Sequence, residues 1–139
     1  FINPIDISDN NIPNGNSIYL IVCNKLKNIT RDNNWQNKVD LLSKTFHSYI
    51  NYNFSQMFSF IKTLDICENN ITINFHGNYM QYKKILKQIN INNLNDTTII
   101  HNKDENDYFV IICKNQTCSQ KLRDISEIKK YLEKLYNVK

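Results

Sequence analysis

The sequence has no alanine, two glycines, two prolines and one tryptophan among its 139 residues. Because Gly15 and Gly77 are the only glycines, the chain has neither a glycine-rich loop that could hold a phosphate group nor a G-x-S-x-G nucleophile motif. It also has no run of about 18 apolar residues, the length that a membrane-spanning helix needs. These absences exclude P-loop chemistry, α/β-hydrolase chemistry and a transmembrane helix within this sequence.

Histidines and carboxylates are too scattered to suggest an active site. His47, His76 and His101 do not stand at the H-x-x-x-H or H-E-x-x-H spacing that places two metal ligands on one helix face. The carboxylates fall on different predicted elements, so none are paired for general acid and base catalysis. We therefore expect no cofactor, no metal ion and no complete active site within this chain.

The charge of the chain is mild, with a net value of +4 and lysine dispersed along the sequence. The basic residues that lie closest together in the sequence are Lys121, Arg123, Lys129, Lys130 and Lys134. Their place on the solvated surface of a helix explains them. Neither a nucleic acid nor a membrane is therefore expected as a partner. Asparagine occurs 24 times, a compositional bias, so asparagines are expected to fill helix surfaces and loops without a specific role.

Four cysteines occur in a chain that is long enough to bury a core without disulfides, so a reducing compartment, the cytoplasm, is favoured. Cys23 and Cys67 lie within helical apolar patterns and are expected to pack as small hydrophobic residues. The sequence starts at Phe1 without a methionine and without the basic and apolar stretches of a secretory signal. We therefore expect a processed form or an excised piece of a longer protein.

The first half of the sequence has the periodicity of helices. A polar cluster at residues 14–17 predicts a helix start, and the apolar run Ile18 to Cys23 continues the helix to about Asn28. This helix is apolar nearly all round, so it is expected to be buried on most sides in a larger assembly. Further helices are predicted at Asn34 to Tyr52 and at Phe54 to Ile66. The short link from Thr30 to the first of these indicates that it forms an antiparallel helical hairpin with the preceding helix.

From about residue 70 the period changes to 2, as Ile71, Ile73 and Phe75 alternate with polar residues in a strand that ends at Gly77. The elements predicted next are a helix at Asn78 to Ile89, strands at Thr97 to His101 and Tyr108 to Cys113 that pair as a hairpin, and a helix at Ile125 to Tyr136. The predicted fold class is α+β and mainly helical. Antiparallel helical hairpins occupy residues 1–68, and a small β-α-β-β-α unit packed on them occupies residues 69–139.

The stretch YFVIICKNQTC joins a predicted strand to two cysteines, Cys113 and Cys118, with four polar residues between them. Thiols so placed could pack as ordinary structural thiols, form a disulfide with a structural or redox role, or supply two ligands to a metal site. Catalytic dithiols usually have C-x-x-C spacing at a helix N-terminus, and a zinc site would need two more ligands. The spacing alone leaves the choice open, with Cys113 and Cys118 as redox candidates.

Three segments together resemble one protein family. Residues 9–17, DNNIPNGNS, look like its D-x-x-x-P-S-G-N-S motif, residues 108–118 resemble its Y-v-C-x-x-x-x-C segment, and residues 124–132 are similar to its closing helix. The family is that of spermatogenesis-associated protein 20 and its bacterial relatives. These proteins join an N-terminal thioredoxin-like domain to a toroid of helical hairpins similar to six-hairpin glycosidases and sugar epimerases. This chain resembles only the last part of such proteins.

The resemblance implies that residues 1–68 close an α/α toroid, that the chain is a non-catalytic portion of a larger protein, and that its partner is the remainder of its parent chain or another protein subunit. In such toroids, loops at one end of the inner helices line the pocket. The resemblance therefore makes three residues pocket candidates: Asn14, Asn16 and Ser17. Asn and Ser side chains also cap helix N-termini, so the three residues are equally predicted as helix caps. Asn14 stands where the family has serine. Two alternatives are a redox accessory segment that uses Cys113 and Cys118, and a stand-alone protein-interaction module.

Overall fold

The computed structural model of the chain describes residues 8–9, 13–89, 96–104, 106–114 and 117–137. It divides into two units, unit 1 at Phe1–Glu68 and unit 2 at Asn69–Lys139. The division lies where the period of the sequence changes from helical to alternating. Over the described ranges the fold is mixed α+β, with five α-helices and one four-stranded sheet.

Unit 1 consists of three helices joined by short links. The helices are α1 at Gly15–Thr30, α2 at Asn33–Asn53 and α3 at Phe58–Asn69, with a 3-10 turn at Phe54–Gln56 before α3. Asn14 caps α1 and Asp32 caps α2, because each side chain accepts a backbone N–H of the first helical turn. Arg31 adopts the left-handed conformation, with a φ of 56°, and its N–H donates to the carbonyl oxygen of Lys27, which ends α1.

The three helices of unit 1 bury one apolar cluster. Its buried members are Leu20, Cys23, Val39, Phe46, Met57 and Phe60. The ring centroids of Phe46 and Phe60 lie 4.9 Å apart in a tilted arrangement, which aromatic pairs favour over a face-to-face stack. Each helix therefore contributes at least one large side chain to the same core.

The face of α1 that points away from this cluster is apolar as well. Ile18, Val22 and Ile29 recur there at helical spacing and are 52%, 44% and 53% exposed, and Tyr19 beside them is exposed too. We call these four residues the α1 stripe. The sequence predicts a helix buried on most sides, whereas the described residues bury only one half of α1.

Unit 2 contains the sheet and two helices. Its elements are β1 at Ile71–Gly77, α4 at Tyr79–Ile89, β2 at Thr97–Lys103, β3 at Phe109–Lys114, β4 at Thr117–Cys118 and α5 at Ile125–Asn137. The predicted strands and helices are therefore present, and the two-residue strand β4 is an addition that the sequence pattern did not suggest. A strand this short has too few residues to display an alternating pattern.

The sheet has the strand order β2-β1-β3-β4, with β1 parallel to β2 and antiparallel to β3. Ile73 marks the register, opposite Ile99 of β2 and Ile112 of β3. The predicted hairpin between β2 and β3 is wrong, because β1 lies between them. The intervening helix α4 is the reason: in a β-α-β unit the helix returns the chain so that the second strand runs parallel to the first.

Helices α4 and α5 pack on one face of this sheet. The buried core comprises Ile71, Ile73, Phe75, Ile85, Val110, Ile112, Ile128 and Leu132. The start of α4 is closed by a capping box, since Gln81 N–H donates to Asn78 Oδ1 and Asn78 N–H donates to Gln81 Oε1, at 3.0 and 3.1 Å. Within the described ranges, no helix is long and apolar enough to cross a membrane.

Candidate functional site

The N-termini of α1 and α3 meet at a group of polar side chains, Asp9, Asn14, Ser17 and Ser59, which we call the polar junction. The backbone N–H of Ser59 donates to Asp9 Oδ2 at 2.6 Å, and its hydroxyl donates to Asp9 Oδ1. The N–H of Asn14 donates to the same Oδ1 at 3.0 Å. One carboxylate thus receives donors from the beginnings of two helices.

The electrostatics of the junction favour an ionised Asp9. Burial alone would raise the pKa of its carboxyl, but hydrogen bonds from the side chain and backbone of Ser59 and from the backbone of Asn14 outweigh it and lower the pKa below its ordinary value. A negative charge is also stabilised by the positive end of a helix dipole, and here two helices begin at the same carboxylate. Asp9 is therefore a fixed anion at neutral pH, suited to joining the helices and not to donating a proton.

The structure brings two of the three pocket candidates into this junction. Asn14 and Ser17 are buried, and the Ser17 and Ser59 hydroxyl oxygens lie 2.9 Å apart. Asn14 Oδ1 accepts the N–H of Asn16 at 2.8 Å, which is the expected cap of α1. Asn16 itself is half-buried. The predicted cap of α1 is thus present at Asn14, whereas Asn16 and Ser17 lie within the first turn of the helix. Asn14 and Ser17 are buried within the helix junction.

An open groove of about 540 Å³ lies among the three helices of unit 1. Asn24 on its wall is 2% exposed, and its Oδ1 has no hydrogen-bond partner in the part of the chain that the structure describes. Cys67 also lines the groove, and burial raises the pKa of its thiol to about 11. Because the thiolate is the reactive form of cysteine, Cys67 is not a nucleophile at neutral pH.

In unit 2, Cys113 and Cys118 form a disulfide that joins β3 to β4. The two residues stand directly opposite each other in the antiparallel register. Of the roles that the spacing left open, unpaired structural thiols and a pair of metal ligands are therefore wrong for these cysteines. The pairing depends on the short strand β4, which sequence reasoning had not placed.

The disulfide lies at the edge of the sheet, and its two halves differ in exposure. Cys118 is exposed, whereas Cys113 is half-buried beside the central strand β1. The amide Nδ2 of Asn74, a buried side chain of β1, lies 4.0 Å from Cys113 Sγ, within reach of a weak N–H···S contact. The half-buried Cys113 therefore has a polar neighbour at its sulfur, whereas Cys118 is an exposed residue.

Hydrogen bonds from the backbone and from the Ser119 side chain hold the hairpin beside the disulfide. Ser119 N–H donates to the carbonyl oxygen of Ile112 at 2.8 Å, and Ser119 Oγ accepts the N–H of Ile112 at 3.1 Å. Val110 and Leu122 exchange both backbone hydrogen bonds, at 2.8 and 2.9 Å. The register between β3 and the returning chain thus does not depend on the sulfur bridge alone.

The histidines of unit 2 take part in packing. His101 Nε2 lies 2.8 Å from the carbonyl oxygen of Gly77, which can only accept, so this nitrogen carries the proton. The His101 ring stacks on Tyr82 at 4.6 Å between centroids, and His76 stacks on Phe109 at 4.3 Å. Over the residues that the structure describes, no three His, Cys, Asp or Glu side chains converge on a position that could hold a metal ion.

Comparisons of the chain with family models, curated proteins and solved structures found no match. The candidate sites therefore depend on the geometry of this chain. Sequence reasoning identified Asn14, Ser17 and the two cysteines of the hairpin, but it missed Ser59 and Asn74. Ser59 is 42 residues from Ser17 along the chain, and nothing in its local sequence distinguishes it from other serines.

Proposed function

We propose that this chain is the non-catalytic C-terminal portion of a larger toroidal protein of the kind it resembles, the family of spermatogenesis-associated protein 20. In this proposal the helices of residues 1–68 are the last hairpins of an α/α toroid, and residues 69–139 form a small α/β appendage. The chain contributes packing that completes the ring and part of the rim of a pocket. The observation that carries the proposal is the α1 stripe.

The stripe lies opposite the face of α1 that unit 1 buries. Covering a half-exposed aliphatic side chain contributes about 1 kcal/mol, so a neighbouring helix that covered Ile18, Val22 and Ile29 would gain about 3 kcal/mol. The exposed Lys25 lies on the same face, and the stem of a lysine can follow an apolar surface while its amine stays in water. Contiguous exposed apolar patches of this kind are characteristic of interaction surfaces.

The directions of the helices also support a place in a ring of hairpins. Only Arg31 and Asp32 separate α1 from α2, and links this short join antiparallel neighbours. The polar junction brings the N-termini of α1 and α3 together, as a set of helices that alternate in direction would require. In this proposal Asp9 and Asn14, which belong to the segment that resembles the D-x-x-x-P-S-G-N-S motif, hold two helix N-termini at the pocket end of the toroid. Asn16 contributes to the rim.

The test is binding between the 139-residue chain and the polypeptide encoded immediately upstream in the same gene. We expect a one-to-one complex by size-exclusion chromatography with light scattering, and reduced binding of an apolar dye by the chain once the complex forms. A double variant, Ile18→Asp with Val22→Asp, should weaken the complex at least about 100-fold, because it removes apolar contact and buries two carboxylates.

The matched control is Leu41→Asp, which makes the same kind of change at an exposed leucine of α2 outside the stripe. Its affinity for the upstream polypeptide should stay within about threefold of the unaltered chain, since a solvent-facing substitution changes little. The proposal fails if the chain does not bind the upstream polypeptide, or if both variants weaken binding equally. An unrelated protein that binds the stripe more tightly would favour a stand-alone interaction module instead.

A further inference from the structure

We infer that the Cys113–Cys118 disulfide is a thiol–disulfide exchange site that accepts two electrons from a partner carrying two neighbouring thiols. This activity belongs to unit 2 and does not depend on the proposed ring. The sulfur that a partner attacks is Cys118 Sγ, and the sulfur that leaves is Cys113 Sγ. Three observations carry the inference: the exposure of the bridge, the independence of the hairpin from it, and the lack of a reductant within the chain.

The first observation is exposure at an edge. Thiol–disulfide exchange requires a thiolate to approach a sulfur atom from the side opposite its bonded partner, so access decides which sulfur is attacked. Cys118 is exposed on the two-residue edge strand β4, whereas Cys113 is half-buried on β3. Exposed disulfides are the labile ones, and buried structural disulfides resist reduction.

The second observation is that the hairpin has its own hydrogen bonds. The pairs Ser119–Ile112 and Val110–Leu122 hold the returning chain against β3 without the sulfur bridge. Opening the disulfide therefore leaves the sheet register in place, and the two thiols stay opposite each other for reoxidation. A bridge whose opening leaves the surrounding backbone paired is suited to repeated cycles of reduction and oxidation.

The third observation concerns the other two cysteines of the chain. Cys23 is fully buried, which keeps its sulfur from reaching an exposed disulfide, and burial raises the pKa of Cys67 to about 11, so the Cys67 thiol is protonated at neutral pH. The reductant must therefore come from outside this chain. If the compartment is reducing, as the composition favours, a disulfide there is characteristically transient and redox-active.

The exchange has two balanced steps. In the first, a thiolate of the partner attacks Cys118 Sγ, a bond forms between those two sulfurs, and Cys113 leaves as a thiolate that Asn74 Nδ2 faces. In the second, the partner's other thiolate attacks the partner sulfur that is bonded to Cys118 Sγ. A disulfide forms within the partner, and Cys118 leaves as a thiolate. The partner ends as a disulfide and has lost two electrons, and the two cysteine thiolates of this chain take up two protons from solvent.

The experiment uses the oxidised 139-residue chain carrying Cys23→Ser and Cys67→Ser, with dithiothreitol as the dithiol probe. We expect the native chain to be reduced at a rate linear in dithiothreitol concentration and within about tenfold of the rate for the urea-unfolded chain, with the far-ultraviolet circular dichroism unchanged afterwards. A rate that does not depend on dithiothreitol concentration means that reduction waits for unfolding, and it overturns the inference. Loss of the fold on reduction overturns it as well.

The direction of attack is tested with glutathione, which has one thiol and traps the mixed disulfide, while N-ethylmaleimide caps the released thiolate. Trypsin cuts after Lys114, so Cys113 and Cys118 fall on separate peptides, residues 104–114 and 115–121. We expect glutathione on the 115–121 peptide and maleimide on the 104–114 peptide. Glutathione equally on both peptides, or mainly on residues 104–114, overturns the assignment. Because neither measurement involves the α1 stripe, these outcomes are distinguishable from failure of the proposed ring.

Discussion

The two units of this chain are similar in length but differ in how completely they bury their apolar side chains. Of the eleven large hydrophobic residues that are exposed in the described ranges, nine lie in unit 1 and two, Tyr79 and Met80, lie in unit 2. In unit 2 a sheet face and two amphipathic helices enclose a core of eight buried residues. In unit 1 three helices enclose one side of α1 and leave the other side open. Unit 2 thus encloses its own core, whereas unit 1 leaves an apolar face of α1 exposed, which is the face that the proposed ring would cover.

A pair of matched substitutions tests this difference most directly. Ile128→Ala on α5 removes a fully buried side chain and should cost about 2 to 5 kcal/mol of unfolding free energy through lost burial and a residual cavity. Ile18→Ala on the α1 stripe makes the same chemical change at a half-exposed site and should cost less than about 0.5 kcal/mol. Urea unfolding at pH 7, followed by circular dichroism, measures both. Equal losses would mean that the stripe is already packed in the isolated chain.

The polar junction provides a second test, confined to unit 1. Asp9→Asn keeps the shape of the side chain but removes the charge that strengthens its hydrogen bonds, and should cost about 2 kcal/mol at pH 7. Because the folded-state pKa of Asp9 lies below its unfolded value, its contribution is present above the unfolded pKa and is lost as the pH falls through the folded one. The difference in unfolding free energy between Asp9→Asn and the unaltered chain should therefore become smaller at acidic pH.

The control for Asp9 is Asp40→Asn, which changes an exposed carboxylate of α2. It should shift the unfolding free energy by less than about 0.5 kcal/mol at every pH. Urea unfolding at several pH values compares the two variants. If the loss of unfolding free energy in Asp9→Asn stayed constant over the whole acidic range, it would contradict the ionised, hydrogen-bonded state of this carboxylate.

The last test concerns the covalent link in unit 2. Cys118→Ser should cost about 2 kcal/mol relative to the oxidised chain, because a bridge that closes a loop of only six residues restricts the unfolded chain little. The difference should disappear when both proteins are melted in reductant. Thermal unfolding of each protein with and without dithiothreitol makes the comparison, and a loss that persists in reductant would place the effect in the serine and not in the bridge.

The strands and helices could largely be predicted from local patterns, whereas their pairing could not. Alternation at Ile71, Ile73 and Phe75 marked β1, and stripes at steps of three and four marked the helices. The hairpin predicted between β2 and β3 was wrong, because strands that follow each other in the sequence are often, but not always, neighbours in a sheet. Local periodicity reports which side of a strand is buried, and it carries no information about which strand lies beside it.

The candidate sites divide in the same way. Asn14 could be predicted as a helix cap, since its side chain acts on a backbone N–H two residues away. Its meeting with Asp9 and Ser59 could not, because that requires the fold to bring the start of α3 to the start of α1. The Cys113–Cys118 pair was visible in the sequence as a candidate, and its oxidation state followed only when β4 set the two residues opposite each other.

By itself the sequence determined the helices and the three longer strands, the change of period near residue 69, the cap of α1 at Asn14, and the absence of phosphate-loop and nucleophile motifs. These features depend on residues a few positions apart, where side-chain size, branching and hydrogen bonding act directly on the backbone. Only the tertiary structure decided the strand order, the junction of Asp9 with Ser59, the disulfide and the open face of α1. Each of these depends on contacts between distant residues, or on the lack of them, and a local pattern is compatible with several such arrangements.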